Sequence, residues 1–239
     1  MNQRESVSYA QCLSVLARHN ILLLAPKDMD LSKYQEEDNE VGSVRVPGEW
    51  LASHAAYDRM MLDPMFYEIF RDYKYILIYQ LDAFVFSDEL NKWCETDIDY
   101  VGAPWVDRPD ISRIASDCTR IRRIFNGKFK RFSNLVGNGG LSLRKVKTFY
   151  NNLNWFRSKA KTWPYYEDTF FSFFLTSYNP FFRIPDFNTA LNFAFETNPS
   201  KCFELNQKRL PFGCHGWDKY EPEFWKPIFR QYGYEIEIR

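Results

Sequence analysis

Between Ser6 and Arg18, apolar positions recur every third or fourth residue, with Tyr9, Cys12, Leu13, Leu16 and Ala17 on one face. That spacing predicts an amphipathic helix. The unbroken run Ile21-Leu22-Leu23-Leu24-Ala25, stopped by Pro26, predicts a strand covered on both sides. A helix feeding a buried strand is the second half of a βαβ unit. The strand that opens such a unit has no room before Ser6 and is expected to be missing.

Residues 31 to 49 are polar and read as a loop, with a short strand at Val44 to Val46. Ser53 to Phe70 has a helical pattern broken into two pieces near Pro64. Tyr75-Ile76-Leu77-Ile78-Tyr79 is the clearest strand pattern in the chain, and Ala83 to Phe86 predicts another. Ser87 is the expected cap of a helix begun by Asp88 and Glu89. Asp99 to Trp105 reads as a strand running into a turn. Leu135-Val136, the turn Gly137-Asn138-Gly139-Gly140 and Leu141 to Arg144 predict strand, turn and strand. Helices are expected over 145–156, 167–177 and 222–232, with a closing edge strand from Tyr234 to Ile238. Pro211 to Trp217 reads as a loop.

The 239 residues suit one α/β domain spanning the chain, and no second domain or internal repeat is visible. Thirty-one basic residues balance 31 acidic ones, so the bulk charge gives no funnel for nucleic acid. Aromatics reach 18%, a high share that reads either as core filling or as rings for stacking on bases and sugars. The five cysteines (12, 94, 118, 202 and 214) form no CxxC pair, which points away from a zinc site or disulfide framework and towards a reducing compartment. No apolar stretch approaches the ~20 residues of a membrane span, and the N-terminus lacks a signal-peptide core. A cytoplasmic protein is expected. Basic residues concentrate in 106–131, a segment that reads either as a solvated insertion or as a flap facing phosphate or acceptor.

Four segments carry candidate chemistry. Gln80-Leu81-Asp82 follows a buried strand, at the sheet edge where ligands of open α/β folds bind and where a carboxylate can hold a divalent metal. The turn Gly137 to Gly140 lets backbone approach a ligand and adopt positive φ, without the Lys-Ser/Thr of a phosphate-binding Walker loop. Glu167-Asp168 opens a helix. Its two carboxylates stabilise the helix start or, about 100° apart around the axis, divide the roles of base and orienting group. His215, between Gly213 and Gly216, is a candidate metal ligand. Softer candidates for base, phosphate or sugar contact are Tyr57, Arg59, Trp105 and Trp217.

In this order, the four segments resemble the shared core of GT-A nucleotide-sugar glycosyltransferases. The stretches YILIYQLDAFVF, DYVGAPW, VGNGGLSLR, YYEDTFFSF and PFGCHGW are together similar to a bacterial GT-A-like family of polysaccharide gene clusters. The resemblance runs from about Ser6 to Tyr232. It implies a Rossmann-like mixed sheet flanked by helices, its first strand missing here, and transfer of a sugar from a UDP-sugar to an acceptor hydroxyl. Gln80-Leu81-Asp82 is similar to the family's DxD motif, which holds metal and diphosphate. The resemblance makes Asp82 and His215 ligands of Mn²⁺ or Mg²⁺. It makes Gln80, Gly137, Asn138, Gly139 and Gly140 donor contacts, with Tyr57, Arg59 and Trp105 assigned beside them. It makes Asp168 the base of an inverting reaction, with Glu167 alternate or orienting. Gln80 replaces the first acid of DxD, so metal affinity is expected to be low, and metal independence stays open. The acceptor implied is a saccharide, free or lipid-linked, which allows peripheral contact with the inner face of the membrane. Two other classes stand beside this reading: a non-catalytic nucleotide- or sugar-binding protein, and a metal-dependent phosphoester hydrolase.

Overall fold

The computed structural model describes residues 1–34, 41–106 and 136–236. Helix α1 (Gln3–Val15) starts earlier than its apolar face suggests, because Asn2 and Glu5 form a reciprocal capping box: each side chain accepts from the other's backbone N–H. Tyr9, Cys12 and Leu16 are buried as expected, whereas Ala17 lies past the helix end and is exposed. Strand β1 (Leu22–Pro26) pairs in parallel with β2 (Gly42–Val46). Helices α2 (His54–Met61) and α3 (Pro64–Ile69) are the expected broken pair. Asp63 caps the second, and Pro64 sits at its first turn, where a missing N–H costs nothing.

Strand β3 (Tyr75–Tyr79) leads through a turn into β4 (Ala83–Val85). Helix α4 (Leu90–Glu95) begins after Glu89, not at Ser87. The strand expected over 99–105 is confined to β5 (Tyr100–Val101), with an isolated bridge from Pro104 to Val136. Strand β6 (Leu141–Lys145) lies antiparallel between β3 and β5. Then follow α5 (Val146–Trp155), α6 (Arg157–Lys161) and α7 (Glu167–Thr169). Helix α7 runs into a wide π-helical stretch, Phe170–Leu175, and on into α8 (Thr176–Tyr178). Helix α9 (Phe187–Phe193), β7 (Ala194–Phe195) and α10 (Pro199–Leu205) precede β8 (Gly213–His215), so His215 stands on a strand and not in a loop. Strand β8 is antiparallel to β4 and parallel to β7. Helix α11 (Pro222–Gln231) closes the fold, and residues 234–236 form no strand.

The architecture is mixed α/β, and the described strands form three small sheets. One core packs α3, α5 and the buried aromatics of the π-helical stretch. A second lies on β3, β6 and α1, and a third joins β4 and β8 to α11. The basic segment 106–131 lies outside the described residues apart from Val106. Cys12, Cys94, Cys202 and Cys214 are free thiols. Among the described residues no helix is long and apolar enough to cross a membrane.

Candidate functional site

Strand β3 delivers Gln80 beside the glycine turn, where its N–H donates to Gly140 O at 2.9 Å. The turn is bound on its other side to Gly102-Ala103-Pro104 through Gly137 N–H to Ala103 O, 3.0 Å. Positive φ was expected at its glycines, but Asn138 alone in the turn adopts it, at 141°. Its side chain stabilises that conformation: Oδ1 accepts from Gly140 N–H at 2.7 Å, and Tyr100 donates its hydroxyl to Asn138 O at 2.9 Å.

The glycines are there for space. A Cβ built on Gly137 would lie 2.3 Å from the Trp105 ring, on Gly139 2.2 Å from Glu167 Oε1, and on Gly140 2.0 Å from His215 Nε2. The turn is thus the floor on which three of the predicted side chains rest. Gly140→Ala is expected to push His215 off Asp82 and to cost about 1–3 kcal/mol, the usual penalty of overpacking, read from a denaturant midpoint.

His215 lies between two carboxylates. Its Nδ1 is 3.0 Å from Glu196 Oε1, and its Nε2 is 3.0 Å from Asp82 Oδ1 and 3.1 Å from Gln80 Oε1. Burial pulls the imidazole pKa down, but bonds to Asp82 and Glu196 outweigh it and raise it to about 9. Burial pushes Asp82 up, yet His215 and Lys219 hold it far below the usual carboxylate range; Lys219 Nζ is 2.5 Å from Oδ2.

The two predicted metal ligands therefore meet, but as a hydrogen-bonded ion pair with an ammonium on the remaining carboxylate oxygen. Gln80 adds no charge. Among the described residues no group of three His, Cys, Asp or Glu side chains forms a ligand cluster. This set does not fit a preformed divalent-metal site.

Glu167 and Asp168 differ sharply. Glu167 is 2% exposed, and its Oε1 accepts from Arg144 Nη2 at 2.8 Å. Arg144, fully buried, also donates to Tyr67 Oη (2.9 Å) and Ser142 Oγ (3.0 Å), and its guanidinium lies over the rings of Tyr100, Phe149 and Phe171. Glu167 Oε2 and the hydroxyl of nearby Tyr57 are buried without a hydrogen-bond partner. Burial raises the Tyr57 hydroxyl to about 12.

Among the described residues Asp168 has no guanidinium partner, and its Oδ1 accepts only the local Thr169 N–H, 2.7 Å. Burial, then the charges of Glu167 and Glu196, hold its carboxyl well above the ordinary range. Glu196 links it to the His215 end of the site.

Two clefts flank this floor. One, of about 580 Å³, is lined by Gln80, Asp82 and Lys219 with Arg4 and His54. The other, of about 940 Å³, is lined by Asp168 with Asp58, Arg59 and Trp105. Arg59 and Trp105, expected on the donor side, thus stand apart from Gln80 and Asp82. Trp217 is buried, donating to Ser8 Oγ at 3.1 Å and packing on Phe229, and serves the core.

A family described as "Protein of unknown function (DUF5672)" matches residues 40–215. The chain belongs to the DUF5672 family. No curated protein and no solved structure matches it. The matched segment of this DUF5672 chain runs from before Tyr57 to His215 and holds every residue of the predicted site.

Sequence reasoning missed Arg144, Glu196, Lys219 and Asp58. Arg144 had a signal: a cation in a strand whose neighbours Leu141 and Leu143 are apolar. Ion pairs across distant segments, such as Glu196 with His215, leave no local pattern.

Proposed function

We propose that this DUF5672 protein is a GT-A-type glycosyltransferase that moves a sugar from a nucleotide diphosphate donor, UDP-linked in the first instance, to an acceptor hydroxyl with inversion. One observation carries the reading. Gln80 and Asp82, the glycine turn, Glu167 and Asp168, and His215 come from four distant segments and share one floor, with Asp168 as its uncompensated carboxylate. A carboxyl held above its ordinary range by burial and like charges is suited to accept a proton near neutral pH. Glu167 is committed to Arg144, so Asp168 is the base and Glu167 the positioning residue.

The donor diphosphate is assigned to the Asp82 cleft, whose lining supplies the cations Lys219 and Arg4. The free thiols support a cytoplasmic setting, at the inner membrane face where a lipid-linked acceptor would be met.

Melting with a nucleotide panel, followed by incubation with UDP-sugars and saccharide acceptors, tests this. UDP is expected to raise the melting temperature, by about 2.7 kcal/mol of stabilisation at a hundredfold excess over Kd. Release of UDP is expected to require acceptor. Binding without turnover would move the protein to the non-catalytic class. Phosphate release without acceptor, dependent on added Mn²⁺, would make it a hydrolase.

A further inference from the structure

The larger cleft is built differently from the one that holds Asp82. Its walls carry carboxylates (Asp58, Asp168), cations (Arg59, Lys161) and aromatic faces (Trp105, Tyr166). None of the four charged groups belongs to an ion pair among the described residues. Asp58 Oδ1 accepts only a long 3.4 Å bond from Glu167 N–H. Tyr166 is 70% exposed. Its carbonyl is nevertheless fixed, accepting from Thr169 Oγ1 at 2.6 Å and from Trp163 Nε1 at 3.2 Å. Trp105 is braced from behind by Phe173, stacked at 5.5 Å and 9°. Trp105 is thus held by its ring, and Tyr166 by its backbone with the ring open to the cleft.

Charged groups of both signs outside any ion pair among the described residues, set beside aromatic faces, suit a ligand that offers many hydroxyls and flat apolar C–H surfaces, with no net charge of its own. A phosphate-rich ligand would meet Asp58 and Asp168, and a hydrocarbon chain would strand four charges. The volume of about 940 Å³ accommodates more than one sugar ring. We infer that this cleft is a glycan-binding subsite. It takes a neutral oligosaccharide and presents one hydroxyl to Asp168, with Arg59, Tyr166 and Trp105 selecting it. The assignment of that glycan as acceptor rests on the transferase reading, whereas glycan binding itself does not.

The full chain, without nucleotide, should be applied to a printed glycan array beside Tyr166→Ala and Arg59→Ala, two exposed positions whose loss leaves the fold intact by circular dichroism. Retention of one or more neutral oligosaccharides is expected, weakened about tenfold or more in each variant. If the chain also turns over UDP-sugars, both variants should raise the acceptor KM by a similar factor and leave UDP affinity unchanged. Glycan binding without turnover keeps the subsite and discards the transferase. Binding of no glycan, or equal binding by the folded variants, overturns the subsite even if UDP still binds.

Discussion

Arg144→Met is expected to destabilise the protein by about 3–5 kcal/mol, the largest loss of any single substitution at the site. The guanidinium is fully buried and, among the described residues, is the one strong partner of the Glu167 carboxylate. Removing it leaves a charge in an apolar interior, a heavier penalty than losing one hydrogen bond. Three aromatic rings and the Tyr67 hydroxyl lose their cation as well. A urea midpoint at constant m-value measures the effect. The double variant Arg144→Met/Glu167→Leu should recover most of it, because replacing both members of a buried pair by apolar groups is often close to neutral. A single variant that loses less than about 1 kcal/mol would show that Glu167 accepts another partner or takes up a proton at little cost.

Asp168→Asn should do the opposite to stability while removing activity. Loss of a general base lowers transfer by about 10²–10⁴. The same change removes a carboxyl that is ionised only against burial and the charges of Glu167 and Glu196. A raised folded pKa means the protonated form is favoured by the fold. The wild type therefore loses stability relative to the variant as pH rises from about 4 to Asp168's own elevated pKa, and the difference stays constant above it. At neutral pH the variant should melt higher, by on the order of 2–4 °C for each kcal/mol relieved. Wild-type transfer should rise with pH over the same window. An inactive variant that melts lower would make Asp168 a structural residue. One that melts higher and keeps full activity would move the base elsewhere.

The element pattern was largely legible before the structure. Tyr75 to Tyr79 is bounded as its apolar run implied, and Pro64 divides α2 from α3 where a missing N–H requires it. The candidate residues were legible one by one, and the structure brings Gln80, Asp82, Gly140 and His215 together. What the sequence could not carry was their partnering. Whether Asp82 faces a metal or Lys219 depends on a turn at Gly216, and whether Glu167 or Asp168 is free depends on Arg144, 23 residues earlier in the chain. The glycine turn was misread in a physical sense: its glycines clear room for neighbouring side chains, and the unusual backbone angle falls on an asparagine. Nothing in the local pattern around Arg59 or Trp105 says which side of the floor they occupy.

The wide stretch Phe170–Leu175 has a consequence for how this site is aimed. A π turn accommodates roughly one more residue than an α turn over the same rise, so it behaves as a single-residue insertion absorbed without breaking the rod. Its six residues are all buried. The phase of everything N-terminal to it is therefore offset from the phase of the packed aromatics by about 100°. Trimming one residue from that run would let the rod close into regular α geometry with its phenylalanines still seated. Glu167 and Asp168 would then swing around the axis like a dial turned one notch, and the carboxylate now committed to Arg144 would no longer be the one that faces it.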